Sequence, residues 1–559
     1  MNVEATAEVD RTANETSPQG RWVGLLIVIF FIALLPTLPD LSRYHGDERF
    51  YTDAAITMVQ SGDYLTPRYA DGTERFKKPL LTYWVLCASY KVIGVSVFSS
   101  RLPFLLAGCG VVWLTWRLGR TLFGTGGTAL LSAVVIAANI QTMTIATRST
   151  PDILLCLFVT ASLCGFADLL LRESRGWKSY ALAYLGAGLA CATKGLWGAL
   201  PVLFALLFWV FARRPRFPLL RVAPPGWVFA GAAIGLSWFI AAAVMHGSSS
   251  LEIFLKDQTM ASPEPVKWFF ISNVMEYAWA TARHFVPWIL IAAAGACAGW
   301  ASLKQFARSY RQALWFSLGW YTTVFLIFSF GSLVRTRYLL PTYPCIAVAC
   351  GALLDYLARQ PRPAARLQRF VVALLSVGIV LGAISVIGWR LDWRAGVGGL
   401  FIAMAAAVLL RLCRRTQPMF ALGSFMIVAF SVVMLTWRPP FGINPADALA
   451  RQLSEPQFAG RPLAALGIPP VINSQLRLVS GGKINPREVS SPGDLNANAV
   501  VLVGESWREQ VAAAGYDVTA APFRTKRVRA KDIWKALRTG RKEDSLDSGR
   551  QDFFIAMRE

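Results

Sequence analysis

The residues best suited to chemistry in this chain are acids and cations set beside apolar sequence. Asp47 and Glu48 follow the first long apolar run, in Tyr44-His45-Gly46-Asp47-Glu48-Arg49-Phe50-Tyr51, and Lys77 and Lys78 stand as a pair further on. Arg148 and Asp152 flank Ser149-Thr150-Pro151, Lys194 closes another apolar run, and Arg337 and Tyr338 open a later one. Two carboxylates can orient or deprotonate a nucleophile, while cations can hold a phosphate and stabilise it as it leaves. A sugar carried on a lipid phosphate needs both, because the phosphate is the leaving group and the tail must lie between helices. Taken singly, the same residues have plainer readings. An isolated Lys or Arg at a span end snorkels to the headgroups, and Asp152 at the start of a helix caps it and favours its dipole. The argument for a site rests on the set.

The elements that must position this set are membrane helices. The 559 residues are 55% hydrophobic and 12% aromatic, with a mean hydropathy of +0.44, which fits a polytopic α-helical membrane protein and excludes an ordinary soluble enzyme. With about 20 apolar residues per span, helices are expected near 22–38, 98–118, 127–146, 151–171, 179–194, 196–212, 227–245, 284–303, 313–330, 338–357, 369–388, 394–412 and 418–436, thirteen in all. Residues 1–21 read as a cytoplasmic tail, 22–436 as a transmembrane catalytic domain and 437–559 as a small periplasmic α/β domain. The first apolar run has no small-residue cleavage site behind it and reads as a retained anchor.

Basic residues set the orientation. The formal net charge is +23, from 56 basic and 33 acidic residues. Many cations fall in short connections, among them Arg117 and Arg120, Arg172, Arg175 and Lys178, Arg213, Arg214, Arg216 and Arg221, Lys304, Arg308 and Arg311, and Arg359, Arg362, Arg366 and Arg369. A cytoplasmic N-terminus puts all of these inside, in keeping with the positive-inside bias, and makes anionic lipid rather than nucleic acid the partner of the charge. The acids and cations named first then share the outer face.

In the first outer loop, 47–60 and 79–92 have helical periodicity of mixed polarity and read as interfacial helices joined through an Asp71-Gly72 turn. Leu251 to Leu255 reads as a further interfacial turn. In the tail, Ala499 to Val503 reads as a strand and Ser506 to Ala514 as a helix. The tail's basic run, Arg524, Lys526, Arg527, Arg529, Lys531, Lys535, Arg538, Arg541 and Lys542, reads as a solvated face or as a contact for phosphorylated glycolipid. The nine cysteines all lie in or at the ends of apolar segments, so no disulfide framework is indicated.

The motifs also carry a resemblance. Gly46-Asp47-Glu48-Arg49-Phe50-Tyr51, Phe76-Lys77-Lys78-Pro79-Leu80-Leu81-Thr82-Tyr83-Trp84, Arg101-Leu102-Pro103, Arg148-Ser149-Thr150-Pro151-Asp152, Thr193-Lys194-Gly195 and Arg337-Tyr338-Leu339-Leu340-Pro341-Thr342-Tyr343-Pro344 resemble, in order, the motif series of the phospholipid-carrier-dependent glycosyltransferases. That superfamily of GT-C fold includes the protein O-mannosyltransferases, and the likeness is to the bacterial enzymes that move 4-amino-4-deoxy-L-arabinose from undecaprenyl phosphate to lipid A. The resemblance implies an inverting transfer of a sugar from a polyprenyl phosphate carrier to lipid A or another envelope glycolipid, at the periplasmic face of the bacterial inner membrane. It implies Asp47 as the principal acid near the acceptor, Asp152 as its support, and Lys78, Lys194 and Tyr338 on the carrier phosphate with Arg337 beside them. Lys77 and Arg148 are further candidates for that phosphate. Glu48 reads either as a second catalytic carboxylate or as the partner of an adjacent arginine.

One departure stands out. The aminoarabinose transferases commonly carry an acid where this chain has Lys77, so a metal ligand is lost there, and His246 and His284 are too isolated to rebuild a site. The sequence supports no divalent metal and no other cofactor. The doubled Lys77-Lys78 suits an acidic sugar or a more anionic acceptor. Transfer to protein Ser or Thr, a lipid-linked sugar flippase and a membrane scaffold are the competing readings. The last gives no reason for the ordered motifs, and against the flippase the charges gather at one face rather than at the midplane.

Overall fold

The computed structural model describes residues 18–211, 218–259, 269–296, 300–331, 334–390, 392–413, 418–437, 444–458, 460–496, 498–519, 523–525, 538 and 551–558. A long apolar run satisfies its own backbone groups in a membrane by forming a helix, and helices make up most of the described residues before 437. Among the described residues nine helical runs are long and apolar enough to cross a membrane, or ten if Gly126–Ala137 and Ile140–Ala146, which meet at 63°, form one span. Asn139 makes that bend, its Oδ1 accepting the N–H groups of Gln141 and Thr142 to start the second helix.

The sequence predicts thirteen spans, and three places account for the difference. Residues 177–211 run as a single apolar stretch, yet the chain reverses within it. Gly195 has a φ of +76°, and a Cβ on Gly198 would collide with the Ala190 and Cys191 backbone. In a straight helix those residues would lie about 10 Å apart, so Trp177–Lys194 and Leu200–Phe211 are two helices folded back on one another. In the stretch 284–303 the described residues form Trp288–Ala296 and the start of Trp300–Ser309, and 297–299 lie outside the described residues. The stretch 313–330 forms the 19-residue helix Arg311–Ser329, whose polar start and Trp320-Tyr321-Thr322-Thr323 centre lower its hydropathy.

The connection from residue 38 to 96 holds the two amphipathic helices its periodicity predicts, Arg49–Ser61 and Leu81–Ile93. Between them the chain turns at Asp71-Gly72, where Asp71 Oδ1 accepts from Thr73 N and Oγ1. The turn expected near Leu251 is a helix, Ser248–Thr259.

The tail is a six-stranded mixed sheet with helices against it. Strands β1 (Leu463–Leu466), β2 (Arg487–Val489), β3 (Val500–Gly504), β4 (Asp517–Val518), β5 (Phe523–Thr525) and β6 (Gln551–Met557) lie in the order β2-β1-β3-β6-β4, and β5 also pairs with β6. β1 runs parallel to β2 and β3, while β6 is antiparallel to its neighbours. β3 is buried along its whole length, as its run of apolar residues requires. The helix Pro470–Val479 docks this unit onto Arg49–Ser61: Ser474 Oγ donates to Asp53 at 2.9 Å, and Gln60 Nε2 donates to the Gly482 carbonyl at 2.8 Å. Of the basic run in the tail, Arg524 lies exposed on β5, and Arg538 is likewise exposed. Lys526, Arg527, Arg529, Lys531, Lys535, Arg541 and Lys542 lie outside the described residues, as do Arg213, Arg214 and Arg216.

Candidate active site

Glu48 begins the site although it never reaches it. Its carboxylate is fully buried and accepts four hydrogen bonds: Arg101 Nε at 2.9 Å, Arg101 Nη2 at 3.1 Å, His45 N at 2.7 Å and Ser149 N at 3.1 Å. Arg101 Nη1 also donates to the Leu38 and Asp40 carbonyls, both at 2.8 Å. One buried pair therefore fastens the end of the first membrane helix, the 38–96 connection, the helix Val97–Phe123 and the turn before Pro151. Burial alone would raise the Glu48 carboxyl, but the Arg101 guanidinium and the two backbone donors outweigh it and hold the group below its usual range.

This clamp presents Asp47 on one side and Asp152 on the other. Asp47 lies half-buried at the mouth of the helix Arg49–Ser61 and pairs with Arg337 Nη2 and, at 3.3 Å, with Arg335 Nη1. These cations overcome the effect of burial and keep its carboxyl below the ordinary value. Its backbone N–H is accepted by His45 Nδ1 at 3.2 Å. Burial and Arg148 lower the pKa of His45, so it is neutral and its 3.8 Å approach to the Asp47 carboxylate is no ion pair. Asp152, in the first turn of Pro151–Leu171, accepts from Lys194 Nζ at 2.6 Å and lies 3.8 Å from Arg337 Nε. Arg337 thus bridges the two acids. Lys194 sits in the last turn of its helix, its ammonium 4.5 Å from the centre of the Tyr338 ring.

These groups line a cavity of about 300 Å³. It gathers Asp47, Lys77, Lys78, Asp152, Lys194, Arg337 and Tyr338 from five separate stretches of chain. Glu48 and Arg148 lie outside its lining; Glu48 is walled off by its own hydrogen bonds, and Arg148 stands half-buried beside His45. Three charged lining residues have no counterpart among those singled out in the sequence: Arg75, Asp257 and Arg335. Asp257, on the helix Ser248–Thr259, pairs with Lys78, whose pKa burial pulls down. Arg75 is buried among the rings of Phe50, Tyr51 and Tyr69 and donates to the Tyr69 hydroxyl at 3.1 Å. Lys77 is exposed at the rim and makes no hydrogen bond or ion pair among the described residues.

Six cations therefore face three carboxylates, an excess suited to an anionic ligand. Lys194 and Tyr338 also line a narrow slot continued by Leu155, Val159, Trp320 and Phe328, so an apolar passage opens directly from the charged cavity. Among the described residues no three His, Cys, Asp or Glu side chains gather as metal ligands. Lys77, an ammonium, does not fit the role of an acid ligand at its position.

Fold and cavity together define a polytopic membrane protein of GT-C architecture, with a cation-rich cavity at the head of an apolar slot. The comparisons agree on this fold. The structure matches the crystal structure of ArnT from Cupriavidus metallidurans bound to undecaprenyl phosphate with a TM-score of 0.69, at 20% identity, over 96% of this chain and 98% of that one. The profile of the dolichyl-phosphate-mannose-protein mannosyltransferase family matches residues 77–244. By sequence the chain is 24% identical over 375 residues to the undecaprenyl phosphate-alpha-4-amino-4-deoxy-L-arabinose arabinosyl transferase of Edwardsiella ictaluri, covering 63% of each. It is 28% identical over 311 residues to an uncharacterized protein of Aquifex aeolicus, covering 55% of this chain and 59% of that one. The matched part thus spans about three-fifths of these curated relatives. The likeness to the aminoarabinose transferases that the motif series implies is therefore found in both sequence and fold.

Proposed function

We propose that the protein is an inverting glycosyltransferase that moves a sugar, aminoarabinose or a related one, from a polyprenyl phosphate carrier to lipid A or another cell-envelope glycolipid. One observation carries this reading: the cation-rich cavity and the apolar slot meet at Lys194 and Tyr338. A lipid-linked sugar phosphate has this division of polarity, with the tail in the slot and the phosphate among Lys78, Lys194, Arg337 and Tyr338. The aminoarabinose transferase likeness supports the choice of donor and acceptor.

In the reaction an acceptor oxygen attacks the anomeric carbon from the face opposite the phosphate. The carbon–oxygen bond to the phosphate breaks, its electron pair stays on the phosphate oxygen, and the cations stabilise the added charge. A phosphate acceptor is already ionised at neutral pH, and Asp47 then only orients it through the Arg337 bridge. A hydroxyl acceptor gives its proton to Asp47. Asp152 holds Lys194 and Arg337 in place. Glu48 positions Asp47 from behind, Lys77 adds positive charge at the rim, and Arg148 acts through His45.

The protein lies in the bacterial inner membrane with its N-terminus cytoplasmic. The cavity and the sheet unit of 437–559 lie on the periplasmic side, an orientation supported by the basic connections. Mass spectra of lipid A and other envelope glycolipids from cells with and without the gene test the assignment. A sugar-sized mass shift in glycolipid is expected, and labelled sugar appearing only in protein would favour transfer to Ser or Thr, the alternative that the mannosyltransferase profile supports.

A further inference from the structure

A second cavity, of about 760 Å³, lies between the 38–96 connection and the C-terminal sheet unit. Phe50 and Tyr69 line both this cavity and the one holding Asp47, so the two adjoin across that pair of rings. Its size is that of a small-molecule site rather than of a packing defect.

Its buried polar wall is left unsaturated. Arg477 and Asn473, from the helix Pro470–Val479, line it and are 2% and 3% exposed. Arg477 Nη2 donates to Thr57 Oγ1 at 3.0 Å, but Nη1 lies 3.6 Å from Asp53, and neither Nη1 nor Nε has a hydrogen-bond partner among the described residues. Asn473 Nδ2 donates to Glu488 at 3.1 Å, whereas Oδ1 has no partner among the described residues. Buried donors and acceptors in native proteins are seldom left so, and these two point to a ligand that supplies both kinds of partner.

The charge of the wall narrows the ligand. Each acid that lines it already accepts a hydrogen bond, Asp53 from Ser474, Asp71 from Thr73 and Glu488 from Asn473. Arg49 and Arg487 line it as well, and neither makes an ion pair among the described residues. Three arginines thus line the wall beside three acids, and only Arg477 lies within ion-pair distance of one, so the guanidinium groups of Arg49 and Arg487 and the open Nε of Arg477 suit phosphate, while the unsatisfied Asn473 carbonyl suits a hydroxyl or an amine. A phosphorylated sugar carries both. A polypeptide acceptor offers no such concentration of negative charge.

We propose that this cavity binds the phosphorylated sugar headgroup of the acceptor, so that the C-terminal unit forms half of the acceptor site and directs the headgroup past Phe50 and Tyr69 towards Asp47. The proposal rests on the transfer reading for its word acceptor, but the ligand class follows from the wall alone.

The test uses the full-length protein in nanodiscs saturated with undecaprenyl phosphate, which fills the catalytic phosphate site, and glucosamine 1-phosphate as the probe, followed by saturation-transfer NMR. Binding is expected, with glucosamine itself binding far more weakly. Arg487→Glu, an exposed change on an edge strand, is expected to weaken binding about tenfold, and Arg49→Gln with Arg487→Glu to abolish it. Equal binding by the double variant, or no binding by the parent, overturns the proposal. A protein that binds the sugar phosphate here but takes up no undecaprenyl phosphate overturns the transfer reading instead and leaves the ligand class standing. A thermal midpoint of the double variant equal to the parent's separates lost binding from lost folding.

Discussion

Glu48 and Arg101 face one another through two hydrogen bonds of 2.9 and 3.1 Å, and neither side chain reaches solvent. The sequence offers Glu48 either as a second catalytic carboxylate or as the partner of an adjacent arginine, and the structure pairs it with the distant Arg101 behind Asp47. An ion pair so deep is costly to break, because removing one partner leaves the other charge buried alone. Arg101→Ala is therefore expected to destabilise the protein by about 3–5 kcal/mol, read as a lower unfolding midpoint in detergent. Replacing both residues, Glu48→Gln with Arg101→Met, should recover part of that loss. A midpoint unmoved by Arg101→Ala would deny the pair its structural role.

Asp47 is placed to act through charge rather than through bulk. Asp47→Asn keeps the shape but loses the ionic link to Arg337 and Arg335, so transfer is expected to fall by about 100-fold or more. Carrier binding should remain, since Lys78, Lys194 and Tyr338 are untouched. Single-turnover transfer and a separate carrier-binding measurement distinguish the two, and undiminished transfer would remove Asp47 from the mechanism.

The same carboxyl sets an acid limit. Because its folded pKa lies below the ordinary carboxylate value, Asp47 contributes stability above about pH 4, and that contribution is lost as pH falls through its lowered pKa. Transfer limited by its ionisation should thus stay level down to about pH 4. An acid limb centred nearer neutrality would show that another group governs it.

Much of this arrangement is legible in the sequence, and the exceptions have physical causes. The amphipathic helices at 49–61 and 81–93 follow from their periodicity, and the cavity's acids and lysines from their position beside apolar runs. Glu48 and Asp47 differ by one residue, and nothing local says which carboxylate turns inward; only the distant Arg101 decides it. Arg335 lies two residues before Arg337 and shares its approach to Asp47, a nearness that the Arg335-Thr336-Arg337 run displays in retrospect. Asp257 sits in Leu255-Lys256-Asp257-Gln258, which carries no motif, and reaches Lys78 only because a separate helix folds over the cavity. The span count differs where hydropathy alone is a poor guide, at the reversal after Lys194.

Under the proposed function, Asp257 and the carrier phosphate compete for one ammonium. Lys78 pairs with Asp257, and a phosphate entering the cavity must share that cation with a carboxylate. Asp257→Asn removes the competing charge without shortening the side chain. The variant is expected to bind undecaprenyl phosphate up to about fivefold more tightly, the scale of a partly exposed ion pair. Weaker binding would instead mean that Asp257 is needed to aim the lysine.

Under the same proposal Lys78 is expected to set the alkaline limit of carrier binding. Burial depresses its pKa below the ordinary lysine value, outweighing the pull of Asp257, so the ammonium is lost at a lower pH than on an exposed lysine. Phosphate binds the charged form, and affinity for the carrier must fall as pH rises through that depressed value. The decline is therefore expected to begin below about pH 10. Arginine in this place keeps its charge throughout, so Lys78→Arg should move the decline upward even where its different geometry lowers the affinity overall. Carrier affinity measured between pH 7 and 11 in both proteins checks this, and coincident alkaline limbs would assign the titration to a group other than Lys78.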